Sequence, residues 1–93
     1  MASIYILWTC DEWKSRDSMR VRMASTLEWK INESIFRGIK ESDFDYAKTS
    51  GEVSREDMGE GFLHDIREGK SFSDINVALR YGMVEEFEDG EEN

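Results

Sequence analysis

The strongest constraint on the fold lies in residues 3–10, Ser-Ile-Tyr-Ile-Leu-Trp-Thr-Cys. The run is rich in β-branched and aromatic side chains, which suit an extended backbone, and is too short for a good helix. Side chains of a strand alternate between its two faces. Ile4, Ile6, Trp8 and Cys10 therefore share one face, and Tyr5, Leu7 and Thr9 the other. Both faces are apolar, so the segment reads as a central strand.

A polar run follows, Asp11-Glu12-Trp13-Lys14-Ser15-Arg16-Asp17-Ser18. Met19, Val21 and Met23 then alternate with Arg20 and Arg22, the period of a half-buried strand. Together these residues predict an antiparallel hairpin with a longer connection than the tight two-residue type.

Ser25-Thr26-Leu27-Glu28 matches a capping box, with Ser25 as N-cap and Glu28 reaching back. Leu27, Ile31, Ile35 and Ile39 follow at four-residue spacing, widened by Phe36, and give the apolar stripe of a helix that fades near Glu41-Ser42. Asp43-Phe44-Asp45-Tyr46 reads as an exit segment and residues 47–53 as a surface loop. Ser54-Arg55-Glu56-Asp57 starts a second helix with Met58, Phe62, Leu63 and Ile66 on its apolar side and Gly69 at its C′ position. Gly59 and Gly61 weaken that helix by about 1 kcal/mol each relative to Ala. Ser71 to Asn76 reads as a short turn or an extra helical turn. Val77, Leu79, Tyr81 and Met83 alternate as a third strand ending near Phe87.

The expected order is β-β-α-α-β. It describes one small α+β domain over residues 1–88, a sheet packed against two helices, with an acidic flexible tail over 89–93. The place of the third strand in the sheet is left open. Ile4, Ile6, Leu27, Ile31, Ile35, Phe62, Ile66, Leu79 and Tyr81 are the expected core. A chain of 93 residues, 39% of them hydrophobic, has material for one modest core and no second domain.

Charge is divided unevenly. Residues 1–40 hold seven basic and five acidic side chains, whereas 41–93 hold five basic and sixteen acidic, which gives the whole chain a net charge of −9. That balance argues against a general nucleic-acid or anionic-membrane binder. A single cysteine excludes an internal disulfide, and the start of the chain lacks the pattern of a signal peptide. No run approaches the ~20 apolar residues of a membrane span, so a cytoplasmic protein is expected.

The sequence offers little for catalysis. Cys10 and His64 are the sole cysteine and histidine, and nothing in their spacing supplies a nucleophile, a base and an orienting group. Cys10 reads better as a small core residue and His64 as a neighbour of the second apolar stripe. Metal-ligand spacings and phosphate-binding glycine patterns are missing too, since Gly59-Glu60-Gly61 lacks the following lysine or third glycine. The expectation is a protein that is not an enzyme and takes no metal or cofactor.

Two clusters suit contact with a partner. Trp13, Lys14, Arg16, Arg20 and Arg22 crowd one hairpin, and Trp and Arg are the types most enriched at binding hot spots. The second is the acidic back of the chain: Asp43, Asp45, Glu56 and Asp57, then six acids among the eight residues 85–92. If extended, the run 85–92 has a charge density comparable to that of a nucleic-acid strand. Trp13, Lys14, Arg16, Arg20, Asp43, Asp45, Glu56 and Asp57 are the candidate partner-binding residues. An acidic surface of this kind also serves simply to keep a small protein in solution.

The stretch Tyr5-Ile6-Leu7-Trp8-Thr9-Cys10-Asp11-Glu12-Trp13-Lys14-Ser15, Ser18-Met19-Arg20, Tyr81-Gly82 and Asp89-Gly90-Glu91-Glu92 resembles small uncharacterised proteins of phages and mobile elements. Acidic phage proteins of this type include anti-CRISPR inhibitors, some of which occupy nucleic-acid sites by charge mimicry. The resemblance implies a non-enzymatic inhibitor that binds a host defence protein, such as a CRISPR effector, at a basic nucleic-acid-binding surface. The alternative is a nucleic-acid-binding accessory protein that uses the Trp13 hairpin and its arginines. The oligomeric state cannot be read from the sequence.

Overall fold

The computed structural model describes residues 3–46 and 54–88. The expected loop over 47–53 and tail over 89–93 lie outside the described residues. The order is β1 (Ser3–Thr9), a 3₁₀ turn (Arg16–Ser18), β2 (Arg20–Ser25), α1 (Glu28–Lys40), β3 (Asp45–Tyr46), α2 (Arg55–Arg67), α3 (Phe72–Ala78), β4 (Leu79–Arg80) and β5 (Gly82–Glu88). The fold class is α+β. A three-stranded antiparallel sheet runs β2-β1-β5, and β3 pairs with β4 in a separate two-stranded ribbon.

β1 is central, as its two apolar faces require. β5 takes the side of β1 that the hairpin leaves vacant, with Leu7 opposite Val84 and Trp8 opposite Met83. On the other side Leu7 faces Met23 and Trp8 faces Val21, so Arg22 is one residue too many. This β-bulge releases the Arg22 side chain toward α1, where it donates to Ser34 Oγ at 3.2 Å.

The core lies between the helices and the sheet face that carries Tyr5, Leu7 and Val84. Ile31, Ile35 and Ile39 from α1, Phe62 from α2 and Ile75 from α3 are fully buried against it. Gly59 of α2 is buried because the Phe36 ring of α1 closes on it, and a Cβ there would sit 2.9 Å from that ring.

Several expectations are corrected. Ser25 does not cap α1; Leu27 is the N-cap, and Ser25 Oγ accepts the Leu27 N–H at 3.0 Å instead. Glu28 is drawn away by the Tyr5 hydroxyl, which donates to its carboxylate at 3.0 Å. With Leu27 outside the helix, its side chain stays exposed. The segment after residue 70 is a true helix, because Ser71 and Asp74 form a reciprocal capping box. α3 therefore consumes Val77, which is 88% exposed, and the third strand starts only at Gly82.

Tyr81 adopts φ 71°, which breaks the alternation between Leu79 and Met83 and turns its ring outward. Tyr81 and Ile4 are thus not core residues. Ile6 and Ile66 are half-buried. The exit segment supplies two core residues in their place, Phe44 and Tyr46. Phe44 is clamped: a Cβ on either Gly38 or Gly82 would overlap its ring, and the Arg22 guanidinium lies 5.1 Å from the ring centre.

Candidate protein-docking face

The helices leave the second face of the sheet open. Ile4, Ile6 and Trp8 stand on it from β1, joined by cross-strand neighbours in β2 and β5. Ile4 faces Phe87, Ile6 lies between Ala24 and Glu85, and Trp8 lies between Val21 and Met83. Val21 is 57% exposed, Phe87 49% and Ile4 41%. None of these residues belongs to the buried core. The same alternation that makes β1 central also gives this face its apolar character.

One polar pin crosses the face. Trp8 Nε1 donates to Glu85 Oε1 at 3.0 Å, and Arg16 comes within 3.5 Å of the other Glu85 oxygen. Arg16 also reaches Met19 Sδ at 4.0 Å, which places the 3₁₀ turn over the buried Met19.

Each edge of the sheet carries one obstruction. At the outer edge of β5 the Asn76 side chain of α3 takes both backbone groups of Val84, each at 2.9 Å. At the edge of β2 the bulge at Arg22 interrupts the regular row of backbone groups. Both devices obstruct strand addition.

The hairpin loop is built around Asp11. Its carboxylate accepts the Trp13 N–H at 3.1 Å, the Ser15 N–H at 3.0 Å and the Ser15 hydroxyl at 2.8 Å. The bonds from Ser15, backbone first, hold the Asp11 carboxyl below its ordinary range. On this frame Lys14 adopts φ 55° and Trp13 projects, 78% exposed. The sequence places Trp13 in a polar loop, and the structure presents it from a fixed one.

The other cations of the hairpin are engaged within the fold. Lys14 is half-buried and donates from Nζ to the Asn76 carbonyl at 2.7 Å, near the end of α3 where carbonyls lack helical partners. Burial lowers its pKa from the ordinary lysine value. Arg20 donates to the carbonyls of Asp17 and Met19 at 3.2 and 2.8 Å. Arg22 pairs with Asp43 at 2.8 Å and with Glu41 at 3.7 Å.

The acidic candidates divide. Asp43 is held by Arg22, and Asp45 by Arg55 at 2.7 Å. Arg55 also donates to the carbonyls of Ile39 and Phe44 at 3.1 and 2.6 Å, so it joins α2 to the end of α1 and the start of β3. Glu56 and Asp57 are exposed in the first turn of α2, where negative charge suits the helix dipole. The sequence reading placed Asn76 at the end of a turn and counted Glu85 only among the acids of residues 85–92, and so missed the contacts that both make. An acid alternating with Met83 and Phe87 was the available signal for Glu85.

Cys10 borders a separate open cavity of about 520 Å³ between the ends of β1 and β2 and the turns at Ser42 and Tyr81. Burial, aided by the charge of Asp11, pushes its thiol up despite the opposing effect of Lys14. A thiol in that state is a poor nucleophile. His64 is exposed on α2, and no described contact joins it to Cys10. Among the described residues no group of three or more His, Cys, Asp or Glu side chains could hold a metal ion, and no helix is long and apolar enough to cross a membrane.

Comparison of the chain with protein-family models, with curated proteins and with solved structures finds no match.

Proposed function

We propose that this chain is a non-enzymatic inhibitor that docks the open face of its sheet on a partner protein and blocks a basic, nucleic-acid-binding surface there. The observation that carries the reading is an apolar sheet face left uncovered by the helices. Contiguous exposed apolar surface of this kind marks interaction sites. Ile4, Val21 and Phe87 supply the part that is desolvated on docking. Glu85 of β5 lies in the face, and Glu56 and Asp57 add exposed charge on α2. With a net charge of −9, the long-range field favours a basic partner and speeds encounter with it.

The resemblance to phage proteins directs this reading to a cytoplasmic host defence protein, such as a CRISPR effector. The hairpin supports protein contact better than direct nucleic-acid binding, because Lys14, Arg16, Arg20 and Arg22 all have partners inside the fold. Trp13 then acts as an anchor at the hairpin end.

The test starts with capture of the partner from host lysate at low and high salt. A competition titration follows, with labelled nucleic acid, the partner and this protein. Mutual exclusion that is lost in Val21→Lys/Phe87→Lys supports the proposal. Simultaneous binding of both ligands rules out an inhibitor of this kind.

A further inference from the structure

The open face holds one acidic group among its apolar side chains, the carboxylate of Glu85. Glu85 stands opposite Ile6 in the sheet and shares its side of β5 with Met83 and Phe87. Its side chain is only 22% exposed. Two groups of this chain reach it: Trp8 Nε1 donates to Oε1 at 3.0 Å, and Arg16 Nη2 lies 3.5 Å from Oε2.

The two contacts differ in kind. Trp8 belongs to the central strand, and its side chain is half-buried. Arg16 belongs to the 3₁₀ turn of the hairpin and is 76% exposed. Its approach to Glu85 is long for a charge-assisted hydrogen bond, which usually measures about 2.7–2.9 Å. An ion pair so open to water is weak and easily exchanged.

A partner that covers Ile4, Val21 and Phe87 must also cover Glu85, which lies among them. The carboxylate then loses its water, and a single indole N–H is too little to hold a buried negative charge. A cation has to stay beside it, supplied either by Arg16 or by the partner.

We infer that the partner supplies it, as an arginine side chain that displaces Arg16 from Glu85; this rests on the docking proposed above. The net charge of −9 selects a basic partner, whose field repels Arg16 while bringing cations of its own. A guanidinium suits the position better than an ammonium. It is planar and weakly hydrated, lies flat on aromatic faces such as those of Trp8 and Phe87, and donates from its edge to a carboxylate. An arginine that binds phosphate finds in Glu85 an acceptor of the same charge and geometry. Arg16 is then a placeholder that screens Glu85 in the free chain.

The test is an NMR titration of the full chain with the peptide Ac-Leu-Arg-Leu-NH2, following the Trp8 indole N–H. The controls are the same peptide with lysine or with neutral citrulline in place of arginine. The inference expects saturable shifts with the arginine peptide and at least about tenfold weaker binding of the citrulline peptide. The lysine peptide should also bind more weakly than the arginine one. Glu85→Gln should reduce the arginine peptide to the level of citrulline, with a thermal melt confirming that the variant is folded. Arg16→Ala decides by its sign. It should tighten binding of the arginine peptide severalfold, because the competitor for Glu85 is gone, and should have no effect in the Glu85→Gln background.

Weaker binding in Arg16→Ala would make Arg16 the permanent counter-ion and overturn the inference. Equal binding of the citrulline or the lysine peptide would overturn it too. Partner capture separates this result from the docking reading. Capture that is lost in Val21→Lys/Phe87→Lys but not strengthened in Arg16→Ala would keep the docking face and reject the displacement. Capture that survives Val21→Lys/Phe87→Lys would reject the docking face itself, and with it the displacement.

Discussion

Asn76 holds Val84 from both sides of its peptide backbone: its Nδ2 donates to the Val84 carbonyl and its Oδ1 accepts the Val84 N–H, each at 2.9 Å. The amide side chain stands where a fourth strand would pair. The Asn76 carbonyl also receives Lys14 Nζ at 2.7 Å, so this one residue ties α3 to the edge of β5 and to the hairpin loop. Asn76→Ala should cost about 1–3 kcal/mol, the loss of two hydrogen bonds at a partly buried edge. It should also raise self-association by exposing that edge. Urea denaturation and sedimentation at several concentrations check the two effects, and full stability in Asn76→Ala would remove the edge-guard role.

The open face and the core should respond oppositely to substitution. Val21→Lys and Phe87→Lys alter exposed positions and should change stability by no more than ~0.5 kcal/mol while abolishing partner capture. Ile35→Ala removes a fully buried side chain and should cost about 2–5 kcal/mol. Trp13→Ala should resemble the face variants, with an unchanged melting temperature and weaker partner binding. A sharp drop in melting temperature for Trp13→Ala would make it a structural residue.

The Phe44 clamp predicts a size-compensated rescue. Gly38→Ala and Gly82→Ala each force a methyl group into the ring of Phe44 and should destabilise by about 1–3 kcal/mol. Phe44→Leu, destabilising by itself, should reduce the penalty of Gly38→Ala in a double-mutant cycle. Strict additivity would mean that the glycine and the ring do not share that space.

Alkaline pH should weaken the fold through Tyr46. Its phenol is pushed well above the ordinary value of 10.0, first by burial and then by the hydroxyl's hydrogen bond to the buried Asp65. The folded chain therefore keeps this proton longer than the unfolded chain. The associated stability is complete below pH ~10 and is lost as pH rises from there toward the folded value. Tyr5, raised by its bond to Glu28, acts with the same sign, whereas Lys14, lowered by burial, acts with the opposite sign in the same range. The difference between wild type and Tyr46→Phe isolates the first group. That difference should shrink as pH rises above 10, as read by urea midpoints, and a constant difference would refute the linkage.

The parts of the fold legible in the sequence are those set by local periodicity. The two-faced run at 3–10 required a central strand, the Ile31-Ile35-Ile39 spacing gave the buried side of α1, and Ser54 capped α2 through the Asp57 N–H. The misread parts involve competing local signals. Val77 and Leu79 look like alternate residues of a strand, yet the Ser71–Asp74 capping box commits the preceding segment to a helix and φ 71° at Tyr81 resets the phase. Glu28 matched the last position of a capping box, but the Tyr5 hydroxyl, distant in sequence, claimed its carboxylate.

By itself, then, the sequence determined an α+β chain with a central first strand, two amphipathic helices, an acidic second half and a tryptophan in the hairpin loop. Hydrophobic period and charge act through neighbours a few residues apart, so a linear reading captures them. Which of β1's two apolar faces is covered was decided only in three dimensions. Helices enough for one layer packed on the side of Tyr5 and Leu7, leaving Ile4, Val21 and Phe87 in the open. The neutralisation of Asp43 by Arg22 and of Asp45 by Arg55, and the meeting of Trp8 and Arg16 at Glu85, were decided in the same way. Those pairings depend on where a bulge turns a side chain and how helices seat on a sheet, and both are settled by close packing across the whole chain.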